Sequence, residues 1–240
     1  MRRMLTNGLI AGLAGGVALA TYVVLFGQRF IQDAIDYEEE STHASEGGAH
    51  AHEELFSRGV QEIGGAIGLL IFGLALGVIF SIVLASLMPR FWPLSDLQAS
   101  LRLGAVGFFA IVVVPFLKYP PNPPAVGDAS TINERTILYF CLLGLSIALA
   151  LGTWHIVRNV AQTGPSRAWL GAGVYVIGLA VVLLSMPGPV DPIDAPTILV
   201  WNFRLASLGG LATAWATMSL TIGTLLTNQS VRSDAVLVSA

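Results

Sequence analysis

Three of the chain's four histidines, His43, His50 and His52, fall within ten residues of one another, among Glu38, Glu39, Glu40, Glu46, Glu53 and Glu54. Neutral imidazole and carboxylate oxygen suit divalent first-row metals such as cobalt, nickel and zinc. An extended backbone at His50-Ala51-His52 would put both imidazoles on one side. The spacing matches no structural zinc pattern, so the affinity it implies is modest. Such ligands hold copper and nickel more tightly than cobalt, so they do not select cobalt by themselves. The plainer alternative is a solvated acidic tether whose histidines bind nothing.

The second constellation is the stretch Val114–Asp128. It holds five of the chain's 12 prolines and its only lysine, Lys118. Each proline ring removes an N–H and clashes with the preceding turn, so the apolar run before it is expected to end at Pro115. Lys118, Tyr119, Asn122 and Asp128 then sit on a stiff, extended backbone where a helix leaves a membrane. Glu134, Arg135 and Tyr139 follow directly. Irregular backbone at membrane depth is tolerated where it lines a cavity, and its carbonyls can face an ion there. Asp128 joins His43, His50, His52 and Glu38 as a candidate metal ligand. The plainer alternative is a rigid plug that only packs on the spans.

The third is Arg204. If the last apolar segment begins near Thr197, this guanidinium lies two turns in, about 10 Å from the helix start. A charge inside a span is costly and usually faces a partner or a water-filled cavity. Asp128, Glu134, Asp191 and Asp194 are the candidate counter-ions. Alternatively the helix starts later and Arg204 snorkels to the surface.

The elements that must position these groups are membrane helices. The 240 residues are 54% hydrophobic and only 11% charged, with a mean hydropathy of +0.72. Soluble domains carry about 25% charged residues, so a chain this poor in charge cannot cover a water-facing surface. A span needs about 20 apolar residues. Six stretches qualify or nearly do: Leu5–Phe26, Ile63–Met88, Leu103–Leu117, Ile137–Val157, Ala168–Met186, and one from near Thr197 to near Leu226. The third is short, and either starts earlier within Leu94–Arg102 or is partly re-entrant. Arg2-Arg3 before an apolar run resembles a signal peptide, but the run continues past Ala20 to Phe26, which reads as a retained first helix.

The fold class is therefore all-α: one polytopic helical bundle over residues 1–240, with an acidic, histidine-bearing loop at 27–62 and a short tail at 228–240. The positive-inside rule places both termini in the cytoplasm. Inside segments then carry Arg2, Arg3, Arg90, Arg102, Arg158, Arg167 and Arg232, while 13 of the 15 acids lie outside. Gly8, Gly12 and Gly16, and again Gly73 and Gly77, recur at the spacing that lets helix backbones approach closely. We read them as intramolecular packing, with self-association into a homo-oligomer left open. Cys141 is the single cysteine, so no intrachain disulfide forms. There is no Walker-type phosphate loop and no catalytic pair within the spans, which argues against an enzyme.

At the level of whole motifs, the chain resembles the CbtA family of cobalt transporter membrane subunits. Val114–Asp128 looks like that family's hallmark segment. Glu134-Arg135-Thr136 with Tyr139 also fits, as does Trp201-Asn202-Phe203-Arg204-Leu205-Ala206-Ser207-Leu208. The small-residue first span followed by Tyr37-Glu38 is similar too, although Ile35 stands where the family favours an acid. The resemblance implies a multi-pass subunit of the cytoplasmic (inner) membrane that admits cobalt for cobalamin supply, beside a small one-span partner. The ligand expected is Co²⁺ as cargo, with no resident cofactor and no nucleic acid. Glu38, Asp128 and the three histidines are expected to meet the metal. Tyr37, Lys118, Tyr119, Asn122, Glu134, Arg135 and Arg204 are expected to shape its path. The competing reading is a non-transporting scaffold that supports a separate pore.

Overall fold

The computed structural model describes residues 1–45, 58–91, 93–124, 126–160, 165–190, 193 and 195–238. All regular structure among them is helical. The elements are α1 (Arg2–Tyr22), α2 (Gln28–Ser45), α3 (Arg58–Leu87), α4 (Asp96–Phe108), α5 (Val114–Lys118), α6 (Ile132–Val160), α7 (Pro165–Ser185) and α8 (Thr197–Val238). Six helical stretches are long and apolar enough to cross a membrane: Arg2–Glu38, Gly59–Arg90, Asp96–Lys118, Ile132–Val160, Ser166–Ser185 and Thr197–Ser230.

Two boundaries differ from the apolar runs, each for a local reason. The third span starts at Asp96, as the earlier-start alternative has it, because Ser95 and Gln98 form a capping box. The Gln98 N–H donates to Ser95 Oγ and the Ser95 N–H to Gln98 Oε1, both at 3.2 Å. This pair satisfies two of the orphan donors at a helix start. The same span does not stop at Pro115. A π-helical turn over Phe109–Val113 leads into α5, which carries the proline inside it. The Val114 N–H reaches back five residues to the Phe109 carbonyl. In that register the next carbonyl, Ala110 O, would need an N–H from Pro115, which has none. The buried Ser146 hydroxyl of α6 supplies the missing donor at 2.7 Å. The helix ends one residue past Lys118, where Pro120 disfavours helical geometry for Tyr119.

A second π-helical turn, Val23–Gly27, joins α1 to α2 without a break. The first half of the acidic segment is thus a helix growing out of the first span. At the other end, α8 runs 42 residues to Val238, about 63 Å. Residues 228–238 extend this helix.

The chain divides into two compact units: Met1–Ala105 with Leu205–Ala240, and Val106–Arg204. In the first, α1 and α3 cross antiparallel through their glycines. Gly8 abuts Gly77 and Ser81, Gly12 abuts Gly73 and Gly77, and Gly16 lies against Leu69 and Leu70. The two small-residue stripes are thus complementary faces within one chain. On the neighbouring side α8 meets α1 through Gly15, Ala214 and Met218. Asn7 and Gln229 exchange amide hydrogen bonds of 3.2 and 3.1 Å, and Phe80 meets Trp215 edge-on at 6.2 Å. The start of α4 packs on α8, with Ser100 Oγ donating to the Ser219 carbonyl at 2.7 Å. In the second unit, α6 and α7 form an antiparallel pair, with Gly171 beside Val157 and Gly178 beside Leu149. Little else covers them: none of the apolar stretch of α7 is buried, against 33% of that of α8.

Candidate functional site

The proline-rich stretch works as a clasp on the helix ends of the second unit. Its attachment begins at Lys118, at the end of α5. The ammonium donates to the Leu183 carbonyl in the last turn of α7 at 2.9 Å. The last four carbonyls of a helix have no intrahelical donor and carry its negative dipole end, so the chain's only lysine caps a neighbouring helix. One residue later, the Tyr119 hydroxyl donates to the Pro187 carbonyl at 2.8 Å. Burial pushes this phenol above its ordinary range, so it remains protonated and a donor.

Arg204 makes the next attachment. Its Nε donates to the Pro121 carbonyl at 3.2 Å and its Nη2 to Asn122 Oδ1 at 2.8 Å. Helix α8 does begin at Thr197, so Arg204 stands two turns in, as the sequence implies. Among the described residues its acceptors are an uncharged carbonyl and an uncharged amide on the clasp. The physical reason is proximity: the prolines hold the 121–122 backbone against the start of α8, and a guanidinium donates readily to any such oxygen. Asp191 and Asp194 lie outside the described residues.

The far end of the stretch is organised around Asp128. Gly127 turns the chain with a φ of 119°. Asp128 Oδ1 then accepts the Ser130 N–H at 2.7 Å. The Asp128 carbonyl accepts the Thr131 hydroxyl at 2.8 Å and Arg135 Nη2 at 3.2 Å. The Ser130 hydrogen bonds, aided by nearby Arg135, hold the exposed Asp128 carboxyl below its usual value of 3.8. In this arrangement it orders the entry into α6, whose first turn carries Glu134.

Beneath the clasp is a cavity of about 630 Å³. Its polar wall includes Tyr119, Asn122, Arg135, Tyr139 and Arg204, and its apolar wall includes Ile132, Leu138, Phe140 and Ile193. No aspartate or glutamate lines it among the described residues.

The structure therefore brings together Lys118, Tyr119, Asn122, Arg135, Tyr139 and Arg204. It places Glu38, exposed, and Tyr37, half-buried, on α2 in the first unit. His43 belongs to the last turns of α2, and His50 and His52 lie outside the described residues. Among the described residues no group of three histidine, cysteine or acidic side chains is placed to hold a metal ion. Sequence reasoning missed the pairing of Ala110 with Ser146. The signal was present: a proline five residues past an apolar carbonyl calls for a donor from elsewhere.

The family follows from a match over most of the chain. Residues 1–227 match the family described as probable cobalt transporter subunit (CbtA). The chain belongs to the CbtA family. A UPF0324 membrane protein of Caulobacter vibrioides is 30% identical over 131 residues, which are 48% of this chain and 25% of that protein. The aligned stretch thus spans about a quarter of that relative's length, so the likeness is a partial one. No solved structure matches the chain.

Proposed function

We propose that this CbtA-family chain is the membrane subunit of an uptake system for a divalent transition metal, with Co²⁺ as the cargo and cobalamin supply as its use. The observation that carries this reading is the family match over 227 of 240 residues, on a chain whose described helices include six membrane-length spans. We place it in the cytoplasmic membrane with both termini inside, because that orientation puts seven arginines on the inner side and 13 of 15 acids outside. The acidic, histidine-bearing segment would raise the local cation concentration through its negative potential. Glu38, His43, His50 and His52 would be the first ligands, with Asp128 a further oxygen donor. The clasp held by Arg204, Lys118 and Tyr119 would be the stiff element that rearranges as the ion passes. No enzymatic step is needed.

A second reading gains from one observation. The buried polar side chains among the described residues are Asn7, Ser81, Ser100, Ser146 and Ser219. Four of these are serines, and Ser81, Ser100 and Ser146 donate to backbone carbonyls. A dehydrated divalent ion needs several oxygen or nitrogen ligands, and this set offers few. A path shared with a one-span partner subunit, or formed mainly by it, accounts for that scarcity.

Radiolabelled cobalt uptake into proteoliposomes separates the two. Under the main reading the purified chain carries Co²⁺, and deletion of residues 43–52 lowers the rate at limiting metal. Under the second, uptake is absent until the partner is added. Absence of cobalt uptake in both preparations, while another solute is carried, sinks the cobalt assignment.

A further inference from the structure

Arg204 leaves part of its guanidinium uncommitted. Of its five N–H donors, the Nε and one Nη2 hydrogen are held by the Pro121 carbonyl and Asn122 Oδ1. The Nη1 pair and the second Nη2 hydrogen remain, on a half-buried side chain that lines the cavity of about 630 Å³. Neither acceptor carries a charge, so among the described residues the positive charge is hydrogen-bonded without a carboxylate partner. Arg135 adds a second guanidinium to the same wall, beside Asp128. The cavity is of the size that takes a drug-sized ligand, and its polar groups favour an anion.

Depth and surroundings narrow the choice of anion. Arg204 lies about 10 Å along α8 from Thr197; a headgroup layer is about 5–7 Å thick, so with Thr197 at the membrane surface the guanidinium falls just below the boundary between headgroups and acyl chains. The wall contributed by α6 does not close. Phe140 lines the cavity and is 62% exposed, and Ile137 beside it is equally exposed. A guanidinium near the boundary between headgroups and acyl chains, next to an apolar wall that opens onto the helix exterior, matches one phosphate with an acyl chain attached. Arginine recognises phosphate through parallel N–H donors, and basic pockets between membrane helices hold lipid headgroups.

We propose that this cavity is a binding site for one acidic phospholipid. The phosphate sits on the Nη face of Arg204, and one acyl chain lies along Phe140 and Ile137. The proposal does not depend on which ion the protein carries. Native mass spectrometry of the full chain in detergent tests it, titrating phosphatidylglycerol, phosphatidylethanolamine and inorganic phosphate in parallel. The expected result is one phosphatidylglycerol per chain, with Arg204→Gln weakening it about tenfold or more, the scale of a charge-assisted hydrogen bond. Val126→Trp, which fills the cavity from the clasp without touching Arg204, should reduce binding as well and carries the test if Arg204→Gln does not fold. Wild-type affinity in either variant overturns the site. Equal affinity for phosphatidylethanolamine overturns the requirement for an acidic headgroup and with it the proposal, and displacement of the lipid by inorganic phosphate at equal concentration points to a free anion and overturns the lipid.

Discussion

The first unit is held by backbone meeting backbone, and the second by side chains reaching across helix ends. In the first, Gly12, Gly73 and Gly77 let α1 and α3 meet backbone to backbone, and Gly8 makes room for Ser81. In the second, helices with largely uncovered apolar faces are tied at one end by Lys118, Tyr119 and Arg204. Lipid is as apolar as leucine, so helices in a membrane associate through close packing and hydrogen bonds rather than hydrophobic burial. The two units separate these two forces. Close packing resists any change of helix spacing. A clasp of a few hydrogen bonds can open at modest cost, which suits the part of a transporter that must move.

Enlarging a contact glycine should do most damage. A Cβ on Gly12 or Gly77 meets main-chain atoms of the opposing helix, which cannot rotate away. Overpacking of this kind costs about 1–3 kcal/mol. We expect Gly12→Ala or Gly77→Ala to lower the melting temperature in detergent and Gly12→Leu to prevent recovery of folded protein. Gly68 on α3 meets nothing within 4 Å, so Gly68→Ala should be neutral or gain up to about 1 kcal/mol of helix propensity. Equal effects at Gly12 and Gly68 would remove close glycine packing as the force that holds the first unit.

In the second unit the largest single effect should come from Ser146→Ala. It strips the Ala110 carbonyl of its donor inside the bundle, and a buried unsatisfied acceptor costs about 1–3 kcal/mol. Arg204→Ala should follow, releasing Pro121 and Asn122. Hydrogen exchange at the Tyr119 and Val126 amides, which are hydrogen-bonded to the Pro115 and Pro123 carbonyls, should rise in that variant while the α1–α3 contact stays protected. If both regions exchange together, the clasp is not a separately opening element.

The residues that sequence reading handled well are those whose signal is compositional. The six apolar stretches, the glycine periodicity and the start of α8 at Thr197 are such cases, because length, small-residue spacing and hydropathy are local properties. Arg204 was legible as a charge inside a span, yet its acceptors were not. The two oxygens found, the Pro121 carbonyl and Asn122 Oδ1, lie on a distant proline-rich segment whose proximity no local pattern announces. Pro115 misled for a related reason: a proline ends a helix only if no neighbour replaces the lost bond, and that neighbour, Ser146, is 31 positions away along the chain. The start at Asp96 was written in Ser95 and Gln98, a pattern hydropathy alone does not register. The histidine cluster gains nothing from the fold, since His50 and His52 lie outside the described residues.

Lys118→Met keeps the aliphatic stem and removes one charge-assisted hydrogen bond to the Leu183 carbonyl, a loss of about 1 kcal/mol. It should therefore loosen the end of α7 less than Arg204→Ala loosens the clasp. Asp128 sets the smallest effect and gives it a pH signature. Its folded-state pKa lies below the ordinary value of 3.8. The order it lends to the start of α6 is thus fully present above that value, and is lost as pH falls through the depressed one. Between pH 6 and pH 5 the Ser130 amide should remain as protected as at neutral pH once intrinsic exchange is corrected for, and protection should fail only below the usual aspartate range. Asp128→Asn keeps an oxygen acceptor but has no charge to lose, so its protection should be weaker at neutral pH and flat on acidification. A wild-type transition at or above the ordinary aspartate value would mean that the carboxylate is not engaged by Ser130, and that the far end of the clasp is held by the Asp128 carbonyl alone.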